Sequence, residues 1–148
     1  MKKFKFRLAA LLKMKEHMER ECQKEHGSAL RKVVQQKNEL TRLDGCRISE
    51  MDRQRGRLTG RLSVAEMLVY SRYLVKLKQD RVTGQEMLAV LEKDAEKKRV
   101  KLVEASREKK TYEKLKERWK EQHDLANRRA EAKEDDETAI TSFRRKMT

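Results

Sequence analysis

The chain has 148 residues, of which 43% are charged, 36% apolar and 5% aromatic, and its 39 basic and 25 acidic side chains leave a formal charge of +14. So much charge over so little apolar mass excludes a wide globular core, and no apolar run approaches the ~20 residues that a membrane-spanning helix needs. Proline is absent and, between Ser63 and Phe143, Gly84 is the only glycine. Proline breaks helices and glycine costs about 1 kcal/mol inside one, so the composition predicts an all-α chain of two long helices.

The N-terminus, Met1-Lys2-Lys3-Phe4, opens like a signal peptide, but its apolar run stops at Leu12, Lys13 follows, and no cleavage site appears. Lysines flanking Phe4, Phe6, Leu8, Leu11 and Leu12 would suit a membrane-surface helix. The simpler expectation is that these residues pack on Tyr112 and Leu115. The first helix is predicted over about residues 7–54, with an apolar stripe of Leu8, Leu11, Met18, Cys22, Ala29, Val33, Leu40 and Leu43 at coiled-coil spacing. Gly27-Ser28 reads as a weak spot, and Gly45 as a point of fraying or bending at 44–46. Cys22 and Cys46 match no metal or redox spacing, and the chain reads as a reduced, cytosolic one.

The turn is predicted at about 55–62, where Gly56 and Gly60 sit within Arg55-Gly56-Arg57-Leu58-Thr59-Gly60-Arg61. Ser63-Val64-Ala65-Glu66 is a capping box, with Leu62 and Met67 placed for the accompanying apolar staple. The second helix is predicted over about 63–141. From Met67 to Ile140 one heptad position takes Met67, Leu74, Arg81, Leu88, Ala95, Leu102, Lys109, Lys116, His123, Ala130 and Glu137; the other takes Tyr70, Leu77, Gly84, Leu91, Lys98, Ala105, Tyr112, Trp119, Ala126, Lys133 and Ile140, with the polar ones concentrated after residue 108. The result is an antiparallel coiled-coil hairpin forming a single domain, 1–148, with the second helix longer and overhanging. Centring the turn between Leu58 and Thr59 makes position i face about 117 − i. Leu40 would meet Leu77, Cys22 would meet Ala95, Leu8 would lie opposite Lys109, and the second helix would lack a partner beyond about residue 115.

The residues imply no catalysis. His17, His26 and His123 lie on helical stretches with no nucleophile and carboxylate set around them. Cys22 and His26, at i and i+4, are too few to hold a metal, and no glycine-rich phosphate loop is present. No cofactor is expected. Arg53, Arg55, Arg57 and Arg61 cluster at the turn as a phosphate-binding patch would. Most other charges alternate in sign, and no aromatics interleave with the arginines, so a solvated tip or an acidic protein surface fits better than nucleic acid.

Phe4-Lys5-Phe6-Arg7-Leu8 with Leu11-Leu12, then Ser63-Val64-Ala65-Glu66-Met67 leading into Tyr70, Tyr73-Leu74 and Leu77, resemble the flagellar export protein FliJ family. So do Glu104-Ala105, Arg107-Glu108-Lys109-Lys110, Glu113-Lys114-Leu115-Lys116-Glu117-Arg118, and Glu131, Lys133, Asp136 and Glu137. The resemblance runs nearly end to end. It implies a non-enzymatic component of the flagellar type III export apparatus, similar to the coiled-coil stalk of a rotary ATP synthase. Its implied partners are the hexameric export ATPase, the export-gate membrane protein FlhA and export chaperones. Its implied location is cytoplasmic, peripheral on the inner membrane at the flagellar basal body. Carried onto this chain, the ATPase-facing residues are Phe4, Phe6, Arg7 and Leu8 with Arg107, Lys110, Lys114, Leu115 and Arg118, and the gate-facing residues are Tyr73 and Leu77. Asp80 and Gly84 depart from the small apolar and polar contacts expected one turn further on. The competing readings are the stalk of a virulence-type secretion system, a basic coiled coil that binds nucleic acid, and a structural coiled-coil dimer.

Overall fold

The computed structural model describes residues 3–61 and 63–147, with the backbone alone at Lys146. Two helices make up the chain, α1 (Ala9–Arg57) and α2 (Val64–Met147), the second being the longer. The all-α expectation holds, and each helix runs a few residues past its predicted C-terminal limit. α1 continues unbroken through Gly27-Ser28 and through residues 44–46. A Cβ added at Gly27 or Gly45 would meet nothing within 4 Å, so neither glycine marks a close approach. Each carries only the intrinsic helix cost of about 1 kcal/mol, which its helix-forming neighbours absorb.

At the turn, the Gly60 amide donates to the Arg57 carbonyl at 3.0 Å and the Thr59 hydroxyl to the Gly56 carbonyl at 2.8 Å. Gly56 is helical, and among the described residues no glycine adopts a positive φ, so the reversal does not use the left-handed backbone that glycine tolerates best. The capping box forms reciprocally. The Ser63 amide donates to Glu66 Oε2 and the Glu66 amide to Ser63 Oγ, both at 3.2 Å, which satisfies two amides that the start of α2 would otherwise orphan. Leu62, proposed for the staple, lies outside the described residues.

The chain divides into two compact units, Met1–Arg20 with Val103–Thr148 (unit 1) and Glu21–Leu102 (unit 2). Unit 2 is an antiparallel helical hairpin. Ala29, Val33 and Ala95 form its tightest cluster, with Leu88 and Leu91 packed against them, and Leu43 and Leu77 are the buried residues nearest the turn. Gly84 is buried beneath Leu40, and the Gln36 side-chain amide donates to the Gly84 carbonyl at 3.0 Å. Lys37–Glu92 and Asp44–Arg81 pair across the arms at 3.0 Å each. In unit 1 the pairing is again antiparallel, through Leu12, the ion pairs Lys15–Glu108 and Glu19–Lys109, and aromatic contacts at the N-terminal segment.

The predicted heptads of α2 hold from Tyr70 to His123, where every such position except Lys116 is buried or half-buried, but fail at both ends, where Met67, Ala126, Ala130, Lys133, Glu137 and Ile140 are exposed. The facing register does not. The Asp44–Arg81 pair in unit 2 and the Phe6–Trp119 pair in unit 1 both place position i opposite 125 − i rather than 117 − i. Leu40 therefore meets Gly84 rather than Leu77, Ala95 meets Ala29 and Val33 rather than Cys22, and Lys109 meets Glu19 rather than Leu8. The turn lies between Arg57 and Val64 and so is centred about two residues later than expected, which accounts for half of the shift. Met18, counted on the α1 stripe, is 45% exposed; the seam passes instead through Lys15 and Glu19, polar residues at steps of three and four from Leu12.

Candidate functional site

All nine residues expected to face the ATPase fall in unit 1. Lys3–Phe6 precede α1 without regular secondary structure, and the rings of this segment pack on α2. Phe4 lies 5.6 Å from the His123 ring, and Phe6 meets Trp119 edge-on at 5.4 Å, a geometry that aromatic quadrupoles favour. These contacts correct two expectations. The N-terminal aromatics sit on Trp119 and His123 rather than on Tyr112 and Leu115, and α2 stays partnered past residue 115. Beyond Asn127 its described side chains are exposed apart from Glu131.

Leu8 and Leu115 are half-buried and belong to the seam region, whereas Arg7 is exposed. Arg107, Lys110, Lys114 and Arg118 are all exposed, and their steps of three, four and four place them on one face of α2. Arg107, Lys114 and Arg118 have no ion pair among the described residues. Beside this stripe, the seam itself is charged. Lys109 Nζ lies 2.8 Å from Glu19 Oε2 and 3.7 Å from Glu113. The Lys109 hydrogen bond holds the Glu19 carboxyl below its ordinary pKa, although burial opposes this, and Glu19 in return raises the Lys109 ammonium. Hydrogen bonding to Glu108 likewise raises Lys15. The apolar-stripe reading passed over Lys15 and Glu19; their seam spacing with Leu12, Cys22 and His26 was the signal that would have found them.

The gate-facing pair falls in unit 2 and divides by burial. Leu77 is 6% exposed and is a seam residue, while Tyr73 is 41% exposed one heptad position to the side. Tyr73 borders a groove of about 550 Å³ whose walls include Val69, Tyr70, Gln54, Arg53 and Arg57. Asp80 is exposed, and Gly84 is buried under Leu40.

These features define a helical-hairpin protein whose candidate sites are faces and grooves along a coiled coil. Among the described residues no group of three or more His, Cys, Asp or Glu is placed to hold a metal, and no helix is long and apolar enough to cross a membrane. The family model of the flagellar FliJ protein matches residues 4–148, and the chain belongs to that family. It is thus a component of flagellar export, of a family that is not catalytic. Comparison with curated proteins and with solved structures gave no match.

Proposed function

We propose that the protein is the stalk of the flagellar export ATPase, engaging the hexameric ring through unit 1 and the export gate FlhA through Tyr73, and that it also handles export chaperones. The observation that carries this reading is the exposed stripe of Arg107, Lys110, Lys114 and Arg118, set beside the N-terminal segment that Phe4 and Phe6 anchor on α2. Exposed cations held on one helix face, three of them without an ion pair among the described residues, are suited to acidic loops lining a ring, where each desolvated pair adds to affinity and orientation. Tyr73 offers a half-exposed aromatic of the kind that anchors interfaces, and Leu77 beneath it holds the helix that presents it. On this reading the protein works without membrane insertion, at the cytoplasmic face of the inner membrane beside the basal body.

The experiment is co-purification of the intact protein with its ATPase hexamer after Arg107→Glu and Lys114→Glu together. Neither residue is buried, so the melting curve should hold while binding falls by at least about tenfold. Unchanged binding by the folded double variant would refute the ring assignment.

A further inference from the structure

We propose that the turn-proximal end of unit 2 carries a second docking groove, on the flank of the seam away from Tyr73, that receives an acidic amphipathic helix of a partner protein. Two adjoining cavities form it. The first, about 380 Å³, is floored by Met51, Leu58, Met67, Tyr70 and Leu74. The second, about 270 Å³, shares Met51 and Leu74 with the first and extends it along the seam to Lys78 and Arg81. The floor lies open because no described residue between Leu43 and Leu77 is buried; Met67 is 52% and Leu58 65% exposed.

Charge identifies the occupant. Arg55 lines the first cavity and Arg47, Lys78 and Arg81 the second, and no carboxylate lines either. The groove on the other flank, beside Tyr73, sets Glu50 and Glu66 against Arg53 and Arg57 and is balanced. Of the four rim cations, Arg81 is held by Asp44 at 3.0 Å and Arg55 only loosely by Asp52 at 3.6 Å, while Arg47 and Lys78 have no ion pair among the described residues. An apolar floor between cationic rims is complementary to a helix with one apolar face and acidic flanks. From Arg47 to Leu58 the α1 wall runs about 16 Å, room for roughly three turns of such a helix. A second copy of this chain would set cationic rim against cationic rim, and a nucleic acid would leave the apolar floor unused.

The test is binding of the full chain to a fluorescent peptide helix of about four turns, with leucines on one face and glutamates elsewhere. A sibling peptide with lysine in place of glutamate, and a single-stranded oligonucleotide, are measured beside it. The acidic peptide should bind at least about tenfold more tightly than its lysine sibling, and Met67→Asp or Leu58→Asp should each weaken it by at least about tenfold. Arg47→Glu with Lys78→Glu should reverse the peptide preference, and Tyr73→Ala should leave it within about twofold. Two separate apolar variants guard against one of them failing to fold, and helicity by circular dichroism reports which do. The proposal is overturned by equal binding of the two peptides, by acidic-peptide binding that survives both floor substitutions, or by an oligonucleotide that binds as tightly with the same dependence. A chain that dimerises through Met67 would overturn it too.

Discussion

Replacing glycine by alanine at three helical positions separates intrinsic helix propensity from the closeness of the two arms. In a helix interior alanine is better than glycine by about 1 kcal/mol. At Gly27 and Gly45 a new Cβ meets nothing within 4 Å, so Gly27→Ala and Gly45→Ala should each stabilise by about 0.5–1 kcal/mol. At Gly84 the same Cβ would stand 2.8 Å from Leu40 Cδ2 and 3.1 Å from Gln36 Nε2, and the Gln36 amide would have to keep its bond to the Gly84 carbonyl while it moved. Overpacking of this kind costs about 1–3 kcal/mol. Leu40 Cδ2 is the far end of a half-buried side chain that can swing outward, which places the cost in the lower part of that range. The propensity term is common to all three substitutions and cancels in the comparison. Gly84→Ala should therefore be less stable than Gly27→Ala by about 1–2 kcal/mol, and close to the parent or slightly below it. Urea titrations followed at the helical dichroism band measure this directly, with the slope checked for constancy across variants. A Gly84→Ala protein stabilised as much as Gly27→Ala would mean that Leu40 does not lie over Gly84, and the register in unit 2 would be wrong.

Tyr73→Ala should weaken binding to FlhA by roughly 2 kcal/mol with a nearly unchanged melting curve, whereas Leu77→Ala should destabilise by about 2–5 kcal/mol because it empties a buried seam position; a Tyr73→Ala protein that binds normally but melts lower would return this ring to the packing. Glu19 has a folded pKa below its ordinary 4.5, so its pair with Lys109 stabilises above the unfolded value and that contribution is lost as pH falls through the folded one. Parent and Glu19→Gln stabilities should therefore converge in acid, and a gap constant with pH would exclude the pair as a stabilising contact. The raised Lys109 acts in the opposite sense, its contribution being complete below 10.5 and lost as pH rises through its folded pKa. Spin labels at positions 29 and 95 should lie closer than labels at 22 and 95 by an axial offset of about 10 Å, seven residues of helix. The reverse order would restore the 117 − i register.

What could be read from residues alone follows the physics that is local along one chain. The capping box at Ser63 and Glu66 is a short-range exchange of hydrogen bonds, and it formed as its spacing requires. The α2 heptads are likewise local, because 3.5-residue periodicity concerns one helix at a time. Register is not local: it depends on where the chain reverses, and each residue by which the turn is displaced moves the facing pairs by two. The α1 seam was legible only in part, because counting apolar side chains alone misses Lys15 and Glu19, which occupy the seam through partners contributed by the other helix. The non-helical Phe4–Phe6 segment was also out of reach, since helical spacing says nothing about where such aromatics settle.

Burial and binding are separable over most of this molecule, and that determines which substitutions are informative. On α2 the seam residues Leu77 and Ala95 are buried, whereas Tyr73 and the Arg107–Arg118 stripe lie on exposed faces. Changes on those faces can alter recognition and leave folding intact. Met51, Leu58 and Met67 share this property, because all three are exposed. Phe4 and Phe6 do not. Their rings are the partners of His123 and Trp119, so an alanine at either one removes a contact within unit 1 and uncovers an aromatic on α2 at the same time. Lost binding by such a variant would not distinguish a missing contact to the ring from a displaced N-terminal segment. The exposed cations Arg107, Lys114 and Arg118 carry no such ambiguity, and the ring assignment therefore stands or falls on them.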